Sequence, residues 1–547
     1  MIKKTILVSV VLSFGFNFFA QEIPKTANWY NKGGSGMYTD KATKKVKKMK
    51  SETVIVAVID NGVDIEHEDL TGKIWTNSNE IPGNGIDDDK NGYIDDIHGW
   101  NYLGNAKGEH VDDCTLEMTR IVRDWGKKYE NADENSLNAE EKEEYKIYQT
   151  AKVNVEADLA KYNQYLAYFD MLPRIIDAVP SQVEEKLGKK DYTMKDLKKW
   201  KTENDQDAQL KGTAMAILSG ELSMDVVNGQ KKQIQDMVDY NLNVDFDERK
   251  IIGDNPNDFS DTQYGNNDLE GPSAGHGTHV SGIITANRKN GLGGDGVASN
   301  VLIMGLRAVP NGDEADKDVA LAIRYAVDNG AQIINMSFGK SYSPHKEEVA
   351  AAFEYAASKG VLCIHAAGND GSNLDEKPNF PTNQYAFQAT PAKLFLTIGA
   401  STYNKKDQKG SLAADFSNYS QTKVDVFAPG YQIYSTVPQS EYDTYNGTSM
   451  ACPAVSGAAA FIKSYFPKLT MAEVQEILLT SAKSYKGKKM VKPGSEPVSK
   501  AKKDENGNKI EKVDNTVDFA TLSVTGSVIN LKNAVKVAKA MYKAKGY

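Results

Sequence analysis

Four side chains in separate parts of the chain could together hydrolyse an amide bond. Such a reaction uses a hydroxyl that attacks, an imidazole that takes its proton, a carboxylate that orients the imidazole, and amide donors that hold the developing oxyanion. Ser449, His276, Asp60 and Asn369 supply one group of each kind. Each of them also has a simpler structural explanation. The neighbouring residues therefore decide how strongly each one indicates catalysis.

Asp60 and Asn369 each follow a short apolar run that predicts a buried strand. Asp60 comes directly after Val54–Ile59, and Asn369 comes shortly after Val361–His365. Ligands of open α/β sheets bind at the carboxyl ends of the strands, so both side chains are placed where chemistry is expected. A turn-capping Asp and an ordinary turn Asn are the alternatives, and for isolated residues they are the commoner explanations.

His276 lies between two glycines and three residues before His279. Two histidines at this spacing on a helix face could bind a metal ion. The glycines argue against a regular helix before His276, and the sequence from Thr278 to Ile284 predicts a helix that begins there. His276 would then lie at the opening turn and could act as a general base. From these residues alone, the metal and base interpretations are equally supported.

Ser449 precedes an Ala- and Val-rich run that predicts a buried helix to Ile462. Pro453 is compatible with the first turn of this helix, where its missing N–H would have no partner. The free amides and the dipole of a helix N-terminus favour negative charge, which suits an attacking serine. A plain N-cap serine is the alternative.

Taken together, the motifs resemble the subtilase family in type and in the chain order Asp, His, Ser. The matching segments are Val-Ile-Asp60-Asn-Gly-Val-Asp, Gly-His276-Gly-Thr-His-Val, Asn-Met-Ser337-Phe-Gly, Ala-Ala-Gly-Asn369-Asp, Phe-Ser-Asn-Tyr-Ser at 416–420, Val-Phe-Ala-Pro429-Gly, Gly-Thr-Ser449-Met-Ala-Cys-Pro and Val524-Thr-Gly-Ser-Val-Ile-Asn530. The resemblance covers most of 54–100, 273–485 and 521–540.

The resemblance implies a serine-type endopeptidase that acts on protein or peptide substrates through an acyl-enzyme, with no catalytic cofactor. Asp60 would orient His276, His276 would act as general acid and base, and Ser449 would be the nucleophile. Asn369 and the Ser449 backbone N–H would bind the oxyanion. The substrate backbone would pair as an added strand with Ser337, Phe338 and Gly339.

Two other functions use the same fold. One is a catalytically silent binding or chaperone-like protein, and the other is a peptide ligase that works through the same acyl-enzyme. The main departure from the family is the spacing of 216 residues between Asp60 and His276. We hypothesise that the additional segment helps folding or gates the cleft.

An acidic loop at 87–96 resembles a calcium-binding loop of the EF-hand type. Positions 1, 3, 5, 7 and 9 would be Asp87, Asp89, Asn91, the Tyr93 carbonyl and Asp95. The twelfth position holds His98 instead of a bidentate Glu, so a carboxylate such as Asp96 would have to replace it. We expect a structural Ca²⁺ here, with an acidic, solvated turn as the alternative.

The apolar runs indicate an α/β fold. Val54–Ile59, Gln332–Met336, Gly360–Ile364 and Leu394–Ala400 are rich in Val and Ile, and helices are predicted at Asp318–Val327 and Glu347–Ala357. Buried β-branched strands that alternate with helices predict a mostly parallel central sheet covered on both faces. The resulting fold class is a three-layer, subtilisin-like sandwich with a helical insertion subdomain.

Composition divides the chain into domains. The peptidase domain is predicted at 21–110 and 250–547. Residues 111–249 are rich in Lys, Glu and Asp, with Val155, Leu159 and Tyr162 at helical spacing, and predict a helical insertion in which Ser181 and Glu184 open a further helix. A polar hairpin insertion is predicted at 486–513, with its turn at Asn506-Gly507.

The N-terminus predicts export. Lys3 and Lys4 precede the apolar run Ile6–Phe19, which is typical of a signal peptide at 1–20 and shorter than the ~20 residues of a membrane-spanning helix. A membrane anchor is the alternative; otherwise we expect a secreted or periplasmic protein without stable membrane insertion. A net charge of -9 gives no reason to expect nucleic acid. The three cysteines argue against a disulfide framework, although one bridge is possible.

Overall fold

The computed structural model describes residues 23–403, 407–408, 410–495 and 514–547. The predicted signal peptide at 1–20 and the predicted turn at Asn506-Gly507 therefore lie outside the described residues.

Most strands of the described chain belong to one central sheet. The strands are β1 Val54–Asp60, β2 Gly99–Asn101, β3 Val301–Arg307, β4 Ile333–Met336, β5 Leu362–Ala366, β6 Phe395–Ser401, β7 Val426–Pro429, β8 Ile433–Val437, β9 Glu441–Tyr445, β10 Lys483–Ser484, β11 Lys489–Val491, β12 Thr516–Asp518 and β13 Ser527–Val528. The central sheet has the order β10-β13-β7-β6-β5-β4-β1-β3-β2. Its strands pair in parallel except β10 with β13.

Helices precede, follow and interrupt this sheet. They are α1 Thr39–Val46, α2 Glu117–Tyr129, α3 Ala139–Leu187, α4 Met194–Lys199, α5 Asp205–Ser219, α6 Met224–Asp236, α7 Arg249–Ile252, α8 Gly275–Thr285, α9 Asp316–Asp328, α10 Lys346–Ser358, α11 Thr448–Tyr465, α12 Met471–Ser481 and α13 Leu531–Ala544.

Both faces of the sheet are covered, as the period-2 alternation along β1 shows. Val56 and Val58 belong to one hydrophobic core together with residues of α8 and α11. Ala57 and Ile59 belong to a second core together with residues of α9 and α10. Successive side chains of a strand point to opposite faces, so a strand buried on both faces must be apolar throughout. The predicted three-layer α/β fold with a mostly parallel sheet is confirmed.

Between 117 and 241 the described chain is helical and contributes no strand. Its longest helix, α3, has 49 residues and therefore extends about 73 Å at 1.5 Å per residue. It begins at a capping box formed by Asn138 and Glu141. The helix start predicted at Ser181 is wrong, because Ser181 lies inside α3 with Pro180 beside it.

Near the C-terminus, β11 pairs antiparallel with β12. These strands lie on either side of 496–513, so part of the predicted hairpin region at 486–513 has strand structure where it is described. The domain boundaries themselves stay predictions.

The cysteines and the helices of the described chain add two simple facts. Cys114, Cys363 and Cys452 are free and buried, so the disulfide left possible by the sequence is not formed. No helix within 23–403, 410–495 or 514–547 combines the length and the apolar character that crossing a membrane requires.

Candidate active site

Asp60 is the last residue of β1 and lies at the carboxyl edge of the sheet, 1% exposed. Its backbone carbonyl accepts hydrogen bonds from Ala308 and Val309 just beyond β3. Its Oδ1 accepts from the Asn61 backbone N–H at 2.8 Å and from His276 Nδ1 at 2.7 Å. A buried strand end therefore holds the carboxylate against the imidazole.

His276 is the second residue of α8, and the beginning of this helix is pressed against the loop after β1. The Gly277 N–H donates to Asn61 Oδ1 at 2.9 Å. A Cβ on Gly277 would lie 2.0 Å from the Gly62 carbonyl oxygen and 3.0 Å from Asp60 Cβ, so only glycine allows this approach. The motif Gly-His-Gly thus brings the imidazole within hydrogen-bond distance of Asp60.

The carboxylate of Asp60 decides the protonation of His276. Because a carboxylate only accepts, Nδ1 carries the proton and Nε2 is left as the basic nitrogen. Burial by itself lowers the pKa of His276, but the negative charge of Asp60 and its hydrogen bond outweigh burial and raise the pKa above its ordinary value of 6.5. The imidazole is therefore a stronger base than an isolated one.

The second histidine of the motif points elsewhere. His279 Nε2 faces the carbonyls of Ile433 at 3.0 Å and Asp443 at 3.2 Å, and its ring stacks on Tyr445. Burial lowers the pKa of His279 to about 3, with a smaller contribution from the charge of His276. The two histidines of the motif thus make different contacts: His276 Nδ1 bonds to Asp60, and His279 Nε2 donates to backbone carbonyls.

Ser449 is the second residue of α11 and is half-buried. Its Oγ donates to the Ser337 carbonyl at 3.0 Å, and Ser337 Oγ donates in return to the Ser449 carbonyl at 2.9 Å. Among the hydrogen bonds of the described residues, none joins Ser449 to His276. The serine hydroxyl is thus held by the segment that follows β4.

Asn369 caps the same helix from the loop after β5. Its Oδ1 accepts from the Thr448 N–H at 2.8 Å and from Thr448 Oγ1 at 3.0 Å. Thr448 Oγ1 in turn accepts from the Gly368 N–H at 3.0 Å. These contacts fix the amide oxygen toward α11, and a Cβ on Gly447 would lie 3.5 Å from Asn369 Nδ2 and 3.6 Å from Ser449 Cβ. Nδ2 is therefore a donor beside Gly447, two residues before Ser449.

A family model and several known proteins match this chain. The family model described as Subtilase family matches residues 51–509. The chain belongs to the subtilase family. The family predicted from the motifs is thus confirmed.

Several named proteases are similar to this subtilase. A thermophilic serine proteinase of Bacillus sp. (strain AK1) is 39% identical over 44% of this chain and 54% of its own length. The major intracellular serine protease of Bacillus subtilis (strain 168) is 36% identical over 40% of this chain and 63% of its own length. Thermitase of Thermoactinomyces vulgaris is 37% identical over 35% and 61%. This subtilase therefore spans about half to two thirds of the length of these three relatives.

A solved structure described as the structural basis of subtilase cytotoxin SubAB assembly also aligns with the chain. It is 21% identical, with a TM-score of 0.38 over 50% of this chain and 78% of that chain.

A cavity of about 540 Å³ lies beside the histidine of this subtilase. It is lined by Asp60 and His276 and also by Ser337, Phe338 and Gly339. The predicted substrate-pairing segment thus borders the same cavity as the Asp–His pair. Glu314, which the sequence did not single out, also lines it.

The acidic loop of this subtilase brings together a different set of oxygens from the predicted one. Glu80, Asp87 and Asp89 each offer an oxygen within 4.8 Å of the others. Glu80 is 6% exposed, its Oε1 accepts from the backbone N–H groups of Asp88 and Asp89, and its Oε2 has no hydrogen-bond partner among the described residues. Glu80 precedes the loop, so no spacing rule for the loop points to it.

The remaining predicted calcium ligands have other partners. Asp95 accepts from the backbone N–H groups of Gly83, Asn84 and Gly85 through both oxygens. Asn91 Oδ1 accepts from the Tyr93 N–H, and its Nδ2 donates to Asp96. The structure thus places carboxylate oxygens of Asp87 and Asp89 near Glu80. Asn91, Tyr93 and Asp95 instead take part in hydrogen bonds within the turn.

Burial also explains why Asp96 is poorly placed as the substitute ligand. Its carboxylate accepts from the side chains of Asn77, Asn91 and Tyr325. Burial raises the pKa of Asp96 to about 6, although these donors oppose the shift.

Proposed function

We propose that this chain is a serine endopeptidase that cleaves extended protein segments through an acyl-enzyme on Ser449. The observation that carries the proposal is the 2.7 Å hydrogen bond from His276 Nδ1 to Asp60. Ser337, which lines the same cavity as His276, holds Ser449 Oγ at the start of α11. His276 Nε2 would take the Ser449 proton as Oγ attacks the scissile carbonyl and later donate it to the leaving amine.

Substrate binding would release the serine hydroxyl for this step. A substrate strand beside Ser337–Gly339 would offer its own N–H groups to the carbonyls of that segment. The Ser337 carbonyl, which holds Ser449 Oγ in the free protein, would then accept from substrate. A change of the Ser449 rotamer would turn Oγ toward His276, in keeping with catalytic hydrogen bonds that tighten only in the complex.

The oxyanion would be stabilised by Asn369 Nδ2 and the Ser449 backbone N–H. Asn369 cannot turn its oxygen toward the substrate without losing both hydrogen bonds to Thr448. A donor that is already oriented stabilises the developing charge without reorganisation. The N-terminus of α11 adds a favourable dipole.

Casein digestion by the wild type and by Ser449→Ala tests the proposal. We expect digestion and fluorophosphonate labelling by the wild type only. A folded wild type that neither digests casein nor reacts with the fluorophosphonate would favour the silent binding or chaperone-like alternative. Transfer of the acyl group to an added amine, in place of hydrolysis, would favour the ligase alternative.

Three further proposals rest on the sequence: where the protein is located, what it cleaves and how its domains are arranged. We propose that residues 1–20 direct export, that the substrates are proteins or peptides, and that 111–249 is an insertion in a peptidase domain at 21–110 and 250–547. N-terminal sequencing of the protein exported by its host would test the first point, since the mature chain should begin near Gln21.

We also propose that Glu80, Asp87 and Asp89 hold a structural Ca²⁺. Oxygen ligands of this kind suit Ca²⁺, and the buried Glu80 Oε2 lacks any other partner among the described residues. An ion bound only by the folded state raises the thermal midpoint by mass action. We expect a lower midpoint in chelator than in Ca²⁺, with little difference in Glu80→Gln. Equal midpoints for the wild type would contradict the site.

A further inference from the structure

The cavity beside His276 has an acidic wall that peptide-bond cleavage does not use. Glu314 and Asp112 line the cavity together with Asp60, and among the described residues no Lys or Arg side chain lines it. Asp112 is 35% exposed and accepts from Ser273 Oγ, so it lies at the open side. Glu314 is only 2% exposed and lies at the deep side.

Glu314 lacks a hydrogen-bond partner for one of its oxygens. Within the part of the chain that the structure describes, Oε1 is buried and accepts no hydrogen bond. Burial raises the pKa of Glu314 to about 8, despite the opposing charge of Lys340. A buried carboxyl without a partner is costly, and a donor that reaches this oxygen would remove that cost.

The cations nearest to Glu314 are held by other carboxylates. Lys340 Nζ lies 2.6 Å from Glu117 and 2.8 Å from Asp316. Arg120 is bonded to Glu117 at 2.7 Å and lies 3.5 Å from Glu248.

Four buried carboxyl groups thus lie around two buried cations in this part of the molecule, and among the described residues neither cation makes an ion pair with the Glu314 side chain. The cationic groups of Lys340 and Arg120 do contact Glu314, but through its backbone carbonyl.

Asp112, unlike the Glu314 side chain, has a cation close to it. Arg307 is fully buried, and its guanidinium lies 3.7 Å from Asp112. Its donors are directed to the carbonyls of Asn61 and Val111 and to Asn101 Oδ1. Arg307 therefore buttresses the loops at the back of the cavity and leaves the carboxylate of Asp112 at the opening.

We propose that this cavity binds a lysine or arginine side chain of the substrate, with Glu314 as the specificity-determining residue and Asp112 as a second acceptor at the rim. The inference rests on the proposed endopeptidase function. A substrate strand along Ser337–Gly339 directs alternate side chains to one side, so one position within four residues of the scissile bond carries the preference.

Quenched fluorescent peptides that carry Lys, norleucine or Glu at each of these positions in turn test the proposal. At one position we expect kcat/KM for Lys to exceed that for norleucine by about 30-fold, as for a buried charge pair, with Glu poorest. Glu314→Gln should reduce this ratio to about threefold or less, and Asp112→Asn should reduce it partly. Glu347→Gln, which removes an exposed carboxylate outside the cavity, should leave the ratio unchanged.

The readouts separate the two proposals. If the enzyme is labelled by fluorophosphonate and cleaves the norleucine peptides, but no position favours Lys or Glu314→Gln leaves the ratio intact, the cationic subsite is wrong and the peptidase stands. If Ser449 is not labelled and no peptide is cleaved, both proposals fail. Should Glu314→Gln not fold, the ratio in Asp112→Asn decides, since an unchanged ratio there would overturn the subsite.

Discussion

The hydrogen bond between Asp60 and His276 makes one imidazole nitrogen a donor and the other a base. We therefore expect kcat/KM to rise with pH through a pKa above 6.5, because only the neutral imidazole can take the serine proton. Asp60→Asn should move this limb to lower pH, since burial remains while the charge that raises the pKa is lost. It should also reduce kcat about 10⁴-fold, through loss of the correct tautomer.

Peptide hydrolysis measured from pH 4 to 9 checks this prediction. The same raised pKa contributes stability that is fully present below the unfolded value near 6.5 and is lost as pH rises through the folded value. A wild-type limb below pH 6.5, or one that Asp60→Asn does not move, would contradict the assignment.

Asn369 combines a structural contact with a proposed catalytic one, and substitutions can separate them. Asn369→Ala should lower kcat by about 10²–10³, the range that holds for the corresponding amide of subtilisin, with little change in KM. Because Oδ1 also caps α11, the thermal midpoint should fall as well. Asn369→Asp keeps an acceptor for Thr448 but removes the donor, so its kcat should fall at least as far while its midpoint stays closer to the wild type.

At the scale of single residues, the sequence indicated which side chains could act in the site, but not which atoms they contact. Asp60, His276, Asn369 and Ser449 stand in short motifs whose local chain geometry is largely self-contained. The carbonyl of Ser337, which holds Ser449 Oγ, carries no side-chain signature, because every residue has one. Glu80 and Glu314 stayed hidden for a related reason, since their surroundings are formed by segments distant in sequence.

Between elements, the contact of α2 with the segment after β4 links the helical region to the cavity. Lys340 directly follows Ser337–Gly339 and is buried between Glu117 of α2 and Asp316 of α9. Burial by itself raises the pKa of Glu117, but Arg120 and Lys340 outweigh it and lower the pKa to about 2. Glu117 therefore stays ionised well below neutral pH, and its ion pairs with Arg120 and Lys340 stay formed.

Lys340→Met should destabilise the protein by about 3–5 kcal/mol, because it leaves buried carboxylates unpaired. It should also raise KM, because the segment that pairs with substrate loses its anchor. Lys152→Met is the matched control, since it breaks the exposed ion pair with Glu130 at 2.7 Å and should cost less than about 1 kcal/mol. Urea unfolding and peptide kinetics measure both effects; equal losses in the two variants would contradict the anchoring role.

The helix start predicted at Ser181 shows a limit of predicting helix boundaries from local sequence patterns. Ser181 and Glu184 have the spacing of a capping box, yet α3 runs through them from Asn138. A capping pattern predicts a start only if the preceding turn is not helical, and the residues before Ser181 continue the helix. The strands were easier to predict, because burial on both faces requires uninterrupted apolar runs such as Val54–Ile59.

In the molecule as a whole, the two ends of the helical region meet at one point. The Leu116 N–H donates to the Asn241 carbonyl at 2.9 Å, and Asn241 Nδ2 donates to the carbonyls of Cys114 and Asn311. A short Gly-Ser link can therefore replace 117–240. We expect the shortened protein to fold with a lower thermal midpoint and a higher KM, because Lys340 loses Glu117. A folded, equally stable and equally active product would show that the region neither supports nor gates the cleft.

That junction also changes the order in which the chain can assemble. Asp60 and His276 are 216 residues apart, but pairing of Leu116 with Asn241 removes the enclosed stretch and leaves a loop of about 90 residues, which lowers the closure entropy by about 0.8 kcal/mol. Early formation of the helical region would thus bring the two halves of the sheet together before β1 meets β3. Refolding should then slow when the Asn241 hydrogen bonds are removed, even where the final structure is unchanged.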